Sequence, residues 1–347
     1  MPILLRPVFS LLVFAGLSWS LTSQTPAPEL PTFFSSLSED ELPSVVIETD
    51  LRRLIGRKTQ EEYQDAQFSL SVRDSLQFSG EIRLKARGNN RKQACFYPPL
   101  KLKFDKKDLQ KAGLQPSNKI KLVVQCRSSD MNGQLILKEY LLYKLYNLLT
   151  PYSYRVQLLQ FTYLNNRKKG KKNSESEPQY GFLIEQEEEW ERRHEGRILD
   201  RERGKVEYFE PAPLLAMSVF QYMAGNTDWY IYNLHNLQMA KVPEFDKLIP
   251  LPYDFDYAGL VDSYYAIPHE SLPIKDVRDR YYVGETCTPA ELDEVRGLFI
   301  EKKAEVLATV AGFTYLEESE RKGMINYLED FYEILENPKR AEAIFCK

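Results

Sequence analysis

The chain has 347 residues, of which 43% are hydrophobic and 12% aromatic, and its formal net charge is −4. A chain of this length and composition can bury a sizeable core, which excludes a disordered protein. The slightly acidic balance excludes the overall positive field with which many proteins attract nucleic acid, so we expect no nucleic-acid partner.

The N-terminus has the pattern of an export signal. A positively charged start, ending at Arg6, precedes an apolar run over residues 8–19 that is too short to span a bilayer comfortably. Small and polar residues follow, so we expect a signal peptide over residues 1–23. A retained membrane anchor is the alternative. No later stretch approaches transmembrane length, so we expect an exported chain (periplasmic, cell-surface or secreted) without stable membrane insertion after signal cleavage.

Four cysteines lack the spacing of zinc ligands, namely Cys95, Cys126, Cys287 and Cys346. One or two disulfides are compatible with an exported chain. Cys95 and Cys126 both flank predicted strands, so they are candidates for a pair, and buried free thiols are the alternative.

The segment over residues 24–43 is rich in Thr, Ser and Pro and is predicted to be a linker. Beyond it, alternation of apolar and polar residues is typical of half-buried strands. Seven segments of the first half are predicted as strands: 42–47, 68–72, 80–86, 100–104, 119–126, 156–164 and 180–184. Between them, a broad apolar face predicts a helix over residues 132–149.

Arg87 and Gly88 interrupt the alternation between two of these strands. Backbone N–H groups of a tight turn bind anions, and a lysine on a neighbouring strand can meet phosphates. Lys101 and Lys103 share one face of the next strand and are candidates for that lysine. The alternative is an ordinary hairpin with solvated lysines. Glu139 in the helix either pairs with such a lysine or faces solvent.

The second half is rich in predicted helices. An acidic helical stretch reaches residue 193, and longer helices are predicted over 211–223, 291–311 and 317–335. Strands are predicted over 237–240 and 248–251. The basic run over residues 167–172 is typical of a solvated hairpin tip, and a contact with an acidic partner is the alternative. We therefore expect two lobes, a strand-rich N-lobe over 44–186 and a helix-rich C-lobe over 187–347, with a ligand cleft between them.

The stretch over residues 225–257 holds two polar clusters among aromatic and aliphatic residues. Asp228 and Asn233 are five residues apart, which is the spacing in the kinase catalytic loop. There the Asp accepts the proton of the attacking hydroxyl and the Asn holds a magnesium ion. Asp254 and Asp256 follow the next predicted strands, where a kinase carries its metal-binding Asp-Phe-Gly. The alternative is a capped loop followed by a hairpin turn.

Taken in order, these segments resemble the CotH-type spore-coat kinase family, within the wider atypical protein-kinase-like superfamily. The matching segments are FSGEIRLKARGN from Phe78, PLKLKF from Pro99, YGFLIEQ from Tyr180, GNTDW from Gly225 on to Asn236, and PYDFD from Pro252. They lie within residues 65–285, and each is short. The resemblance implies an α+β fold of the two-lobed protein-kinase-like type.

The resemblance also implies ATP and a divalent metal, Mg²⁺ or Mn²⁺, as cofactors. The expected reaction is transfer of a phosphoryl group to a hydroxyl of a protein acceptor substrate. On the matching positions, Asp228 would be the catalytic base. Lys101 would be the strand lysine, with Lys103 as its rival.

The remaining positions carried over from the family concern nucleotide and metal. Arg87 and Gly88 would approach the phosphates, and Glu185 would lie at the hinge near adenine. The metal ligands would be Asn233 and Asp254, with Asn236 and Asp256 as auxiliary ligands. Two departures concern the pattern, because Tyr253 stands where the family has Trp, and residues 95–99 interrupt the lysine-rich run.

Two other functions fit the same residues. A catalytically silent module could keep the fold for binding at an exported surface, where ATP is scarce. A metal-dependent hydrolase could use the same aspartates, although such sites usually add histidine ligands and only His235 is near in sequence.

Overall fold

A computed structural model describes residues 29–38, 41–60, 62–88, 90–166 and 174–346. The chain divides into two compact units, residues 1–30 and 31–347, and the helices and strands of the described residues lie in the second. The expected signal peptide and the basic run over 167–172 lie outside the described residues. Among the described residues, no helix combines the length and the apolar character that a membrane crossing requires.

The first half of the second unit forms an eight-stranded sheet. Its strands are β1 (Ser44–Thr49), β2 (Gln64–Val72), β3 (Ser75–Ala86), β4 (Leu100–Phe104), β5 (Lys119–Val124), β6 (Val156–Asn165), β7 (Ser174–Glu175) and β8 (Gln179–Ile184). Neighbours follow the order β1-β2-β3-β4-β5-β8-β6-β7, and β6 also pairs with β1 in parallel. Seven strands therefore close into a barrel, where the sequence predicted only a strand-rich lobe.

Alternation along each strand decides which side chains fill the barrel. On β4, Leu100, Leu102 and Phe104 are buried inside, whereas Lys101 and Lys103 point outwards and are half-buried. Inward and outward residues alternate because successive side chains of a strand point to opposite faces.

Aromatic residues from the predicted linker complete this barrel core. Phe33 and Phe34 are 1% and 6% exposed. The Phe33 ring contacts Phe68, Phe78 and Phe104, with centroids 4.6 to 5.7 Å away. The prediction of a linker is therefore wrong for the part around residues 31–38, which packs as part of the barrel. Burial of two large apolar rings removes their surface from water and so stabilises this packing.

Helices dominate the second half, which confirms a mixed α and β structure. In chain order the helices are α1 (Leu51–Gly56), α2 (Asn90–Ala94), α3 (Lys106–Lys111), α4 (Asp130–Leu149), α5 (Glu187–Arg193), α6 (Pro211–Ala224), α7 (Pro289–Gly312), α8 (Glu318–Glu336) and α9 (Pro338–Phe345). A second sheet has the order β11-β10-β9, with β9 (Arg197–Leu199), β10 (Leu237–Lys241) and β11 (Ile249–Pro252). The short helices α1, α2 and α3 were not predicted.

Helix α4 joins the core of the second half. Most of its residues are buried on every side, and they pack in one cluster with residues of α6, α7, α8 and β10. Glu139, in the middle of α4, is only 2% exposed, so the prediction that it faces solvent is wrong.

Cys95 and Cys126 form a disulfide, which confirms that proposed pairing. The bond links the end of α2 to the residues that follow β5. The bond fixes α2, the helix that carries Arg91, next to the barrel.

Candidate functional site

Two polar loops meet beside the hairpin of β10 and β11. Leu237, the first residue of β10, lies opposite Pro252, the last residue of β11. Just beyond this pair, the Tyr253 N–H donates to the Asn236 carbonyl at 3.1 Å. The loop that carries Asp228 therefore lies beside the residues that lead to Asp254.

Helix α6 delivers the first of these loops. It ends at Gly225, which has a left-handed φ of +67°, and a Cβ at this position would collide with the Tyr327 hydroxyl. The buried Asn226 side chain then braces the turn, since its Nδ2 donates to Gln221 Oε1 at 2.9 Å. Its Oδ1 accepts from the Asp228 N–H at 3.0 Å. The position of Asp228 is thus set by the backbone before its side chain makes any contact.

The Asp228 carboxylate contacts two neighbours from its own loop. Its Oδ1 lies 3.0 Å from His235 Nε2, and its Oδ2 accepts from Asn236 Nδ2 at 3.0 Å. This contact raises the pKa of His235 more than partial burial lowers it. The Asp228 side chain is still 30% exposed. A carboxylate has about four acceptor positions, so it can accept from one more donor, such as a substrate hydroxyl.

Asn233 does not take part in this arrangement. It is exposed, and its Oδ1 accepts from the His235 N–H at 3.3 Å within the same loop. Among the described residues, no hydrogen bond joins it to Asp228 or Asp254. The structure brings Asn236 to Asp228, where the spacing of the sequence had pointed to Asn233.

Asp254 combines an unusual backbone with a free carboxylate. Its φ is +64°, a region that costs energy for residues other than glycine and that clusters at functional sites. Its N–H donates to the hydroxyl of the buried Tyr143 at 2.9 Å, which holds the turn in place. Within the described residues, its half-buried carboxylate accepts no hydrogen bond and makes no ion pair. It is therefore available to a cation.

Asp256 is committed to the protein itself. It is 4% exposed, accepts from the Tyr265 hydroxyl at 3.0 Å, and lies 3.7 Å from Arg91 Nε. Burial raises the pKa of Asp256 well above the usual range, and the charge of Asp254 raises it further. The geometry thus favours a structural role, in contrast to the predicted role as an auxiliary metal ligand.

Arg91, which the sequence analysis did not single out, joins three elements. From α2, its Nη1 donates to Glu139 Oε2 of α4 at 2.8 Å, and its Nη2 donates to the Val124 carbonyl of β5 at 3.0 Å. The Arg91 side chain is 7% exposed. Glu139 is therefore paired with this arginine, and the expected pairing with a strand lysine is wrong.

Three lysines form a row across the outside of the barrel towards these loops. In the register of the sheet, Lys85 of β3 lies opposite Lys101 of β4, which lies opposite Lys121 of β5. Burial lowers the pKa of Lys101, and the charges of Lys121 and Lys119 lower it further. Within the described residues, Lys101 makes no hydrogen bond or ion pair.

Lys121 lies beside the residues that lead to Asp254 and was missed by the sequence analysis. Its Nζ is 3.0 Å from Glu187 Oε1 and 5.9 Å from the centroid of the Tyr253 ring, next to Asp254. The same alternation that identified Lys101 is present around Lys121, so the signal existed. Lys103 lies one row further out, opposite Arg83 and Lys119.

Arg87 and Gly88 lie where β3 ends. Gly88 has a φ of +80° and open space around its α-carbon. Arg87 is half-buried and makes no ion pair with any described residue, and its charge acts on Glu139, Tyr143 and Tyr253. The guanidinium thus lies near the Asp254 loop and remains free to bind an anion.

Glu185 is buried at the junction between β8 and α5. Its two oxygens accept from Arg155 and Arg193 at 2.8 to 3.0 Å, so its side chain has no free contact for a nucleotide. Next to it, a cavity of about 520 Å³ opens between α5 and the Asn233 loop. Glu187, Gln238 and Tyr253 are among its lining residues.

The protein ligands for a cation are few. Among the described residues, no group of three His, Cys, Asp or Glu side chains could hold a metal ion. The unpaired Asp254 carboxylate and the neighbouring Asn236 provide hard oxygen atoms of the kind that Mg²⁺ prefers. Mg²⁺ usually binds through one or two carboxylates together with substrate phosphates, so these residues fit a cation that arrives with a nucleotide.

A scan against protein-family models finds no match, and a search of characterised proteins finds no relative. Among solved structures, the chain is similar to the crystal structure of a Helicobacter pylori proinflammatory kinase, CtkA, with 11% sequence identity and a TM-score of 0.40. The match covers 75% of this chain and 93% of that chain. A similarity of this size is too weak to establish a family, so the resemblance to the CotH-type family stays a prediction.

Proposed function

We propose that the chain is an ATP- and metal-dependent phosphotransferase that acts on a hydroxyl of a protein acceptor. The observation that carries the proposal is the meeting of the two loops, where Asn236 contacts Asp228 through its side chain and Tyr253 through its carbonyl. This contact sets the partly exposed Asp228 carboxylate beside the loop that carries the unpaired Asp254 carboxylate. Phosphoryl transfer needs little more than such positioning together with electrostatic stabilisation.

Asp228 acts on the acceptor. Its carboxylate, oriented by His235 and Asn236, orients the acceptor hydroxyl and takes its proton at Oδ1 or Oδ2. Because Asn236 also donates to the Asp228 carbonyl at 2.8 Å, side chain and backbone are fixed together. Asn236 is therefore a positioning residue for the base as well as a candidate cation ligand.

Asp254 and three positively charged side chains act on the nucleotide. When bound, ATP and its cation supply the transferable phosphoryl group and neutralise its charge. Asp254 would hold the cation, and its backbone is kept in place by Tyr143. Arg87, Lys101 and Lys121 offer positive charge on the barrel side of the same loops.

The test compares two aspartate variants in the same chain. Nucleotide affinity is measured by calorimetry with Mg²⁺ and with Mn²⁺, alongside transfer of labelled phosphate to protein. Asp254→Ala should abolish metal-dependent nucleotide binding and turnover. Asp228→Asn should leave affinity nearly unchanged and lower turnover by roughly two to three powers of ten, as expected for loss of a positioned base.

Two results would refute the proposal. If the unmodified chain binds no nucleotide with either metal, a catalytically silent binding module replaces it. If both variants unfold, the aspartates are structural. Asp246→Ala, at an exposed position of the β10–β11 turn, serves as the control for removal of a carboxylate elsewhere.

We also propose that the chain is exported. The disulfide between Cys95 and Cys126 supports this, since such bonds persist mainly in oxidising compartments. N-terminal sequencing of exported material should find a start between residues 21 and 28. If the exported material still begins at Met1, the predicted cleavage does not occur, and a retained membrane anchor is the remaining alternative.

A further inference from the structure

A second row of cations extends the lysine row across the outside of the barrel. In the register of the sheet, Arg83 of β3 lies opposite Lys103 of β4, which lies opposite Lys119 of β5. Together with Lys85, Lys101 and Lys121, these residues form what we call the cationic face. Residues two apart on a strand are separated by roughly 7 Å, so six positive side chains share a small patch.

Acidic side chains border this face. Glu187 pairs with Lys121, Asp65 stands opposite Arg83 on β2, and Glu81 and Asp105 line a cavity together with Arg83 and Lys103. Within the described residues, however, Arg83, Lys103 and Lys119 form no ion pair. Like charges directly opposite one another on neighbouring strands destabilise a sheet, so the face carries a cost that a bound anion would relieve.

From this charge pattern we infer that the cationic face docks an acidic segment of a partner protein. The inference goes beyond the proposed phosphotransferase activity, because docking requires neither nucleotide nor catalysis. If the proposed activity holds, the inner row serves the nucleotide phosphates, and the outer row of Arg83, Lys103 and Lys119 remains for the acidic segment.

The face fits a peptide better than a nucleic acid. Single-stranded nucleic acids bind through free aromatic platforms as well as charge. Among the described residues, the rings of Tyr63, Tyr154 and Tyr253 lie beside this face, each against one of its cations. Arg83 and Lys85 lie 5.7 and 5.4 Å from the Tyr63 centroid, and Lys121 lies 5.9 Å from the centroids of Tyr154 and Tyr253. The patch is also three strands wide, which suits a short acidic stretch of polypeptide, and the chain as a whole carries a charge of −4.

The test uses the full chain and three fluorescent probes in low salt without nucleotide. The probes are a 12-residue peptide of Asp, Glu and Ser, a peptide in which Lys replaces the acidic residues, and a 12-nucleotide single-stranded DNA. The variant Arg83→Ala/Lys103→Ala/Lys119→Ala is compared with Lys322→Ala/Lys339→Ala/Arg340→Ala, which removes the same charge from α8 and α9. Thermal melts confirm that both variants are folded.

We expect the acidic peptide to bind and the basic peptide not to bind. The barrel variant should lose about tenfold in affinity or more, because it removes three charges that contact the peptide. The helix variant should lose less than about twofold, because its three charges lie outside the cationic face. Added salt should weaken binding. Absence of peptide binding, or equal losses in both variants, would overturn the inference. Tighter binding of the DNA than of the acidic peptide would also overturn it, because the partner would then be a nucleic acid.

A second, independent observation concerns two cysteines near the C-terminus. Cys287 Sγ and Cys346 Sγ are 3.0 Å apart, and each side chain is partly exposed. The Cys287 N–H also donates to the Phe345 carbonyl at 3.2 Å, so the backbones are already in contact. We propose that these two thiols form a second disulfide, which ties α9 to the start of α7.

The oxidant is a small-molecule or protein disulfide. One cysteine thiolate attacks this disulfide and releases one thiolate, and the other cysteine then attacks the mixed disulfide and releases the second. Two electrons pass from the cysteine pair to the attacked disulfide, which is reduced to two thiols, and the two protons that the cysteines lose go to the released thiolates or to water.

Alkylation under denaturing, non-reducing conditions tests the pair in exported protein. We expect neither cysteine to be alkylated and a linked peptide to appear in the digest, with Cys95–Cys126 as the internal control. In Cys346→Ser, Cys287 should become alkylated. If both thiols are alkylated while the control bond is intact, the pair is not a disulfide.

Discussion

Replacement of Arg91 by methionine should destabilise the protein by about 3–5 kcal/mol, the range found when one partner of a buried ion pair is removed. Arg91 is 6% exposed, and its guanidinium contacts Glu139 at 2.8 Å and the Val124 carbonyl at 3.0 Å. Methionine retains most of the apolar stem, so little of the loss comes from an empty cavity. Most of it comes from carboxylates that stay buried without a partner.

The loss should depend on pH because of Glu139. Burial raises the pKa of Glu139 to about 7, while Arg91 acts in the opposite direction. A carboxyl whose pKa is raised in the folded state stabilises the fold when protonated, and this stability is lost as the pH rises through the folded pKa. Without Arg91 the burial effect is unopposed, so Arg91→Met should cost more at pH 8 than at pH 5.

Urea unfolding at both pH values measures these losses. Arg52→Met, at an exposed position of α1, should change stability by less than about 0.5 kcal/mol. In the double variant Arg91→Met/Glu139→Gln, part of the loss should be recovered, because the unpaired charge is gone. If Arg91→Met matches the Arg52 control, or if the double variant is simply additive, the buried network does not hold α2, α4 and β5 together.

Three further variants test other parts of the molecule. Lys121→Ala should weaken metal-dependent nucleotide binding about tenfold in calorimetry, because its ammonium lies beside the Tyr253 ring, whereas Lys103→Ala should have little effect; equal effects would contradict the assignment of the inner row. Burial lowers the pKa of His194 from 6.5 to about 4, so the stability that its neutral ring contributes is complete above pH 6.5 and lost as the pH falls towards 4. His194→Phe should flatten that decline in thermal melts, and an unchanged pH profile would show that the ring is solvated. Phe33→Ala should cost about 3–5 kcal/mol in urea unfolding, and a cost below about 1 kcal/mol would return this segment to the predicted linker.

Local patterns in the sequence predicted most individual strands and helices, but not the closure of the barrel. The alternation of Leu100, Leu102 and Phe104 reflects a property of neighbouring residues, and β4 begins and ends as predicted. Closure instead depends on a parallel pairing in which Ser44 lies opposite Gln160. No periodicity links residues so far apart. Helix α2 has five residues, too few for a helical period to be visible.

Backbone geometry explains why Asn236, and not Asn233, contacts Asp228. The spacing of Asp228 and Asn233 predicted a joint role, but Leu234 and Asn236 both have a φ of +51°. These two left-handed residues turn the loop, so that Asn236 returns to Asp228 while Asn233 stays exposed. Positive φ at a leucine is rare and cannot be read from residue types.

The pairing of acidic groups around the site favours a bound cation over a silent binding surface. Glu139 and Asp256 contact Arg91, and Glu185 contacts two arginines. Asp254 differs, since within the described residues its half-buried carboxylate has no partner although its backbone is held in a strained turn. An unpaired, partly desolvated charge and a left-handed aspartate both cost energy, and a chain that only displayed a surface would gain nothing from them. A divalent cation bound with a nucleotide would compensate both costs by binding the Asp254 carboxylate. Because Asp254 would then act only through the cation, Asp254→Ala and the unmodified chain should bind nucleotide with equal affinity when no metal is present.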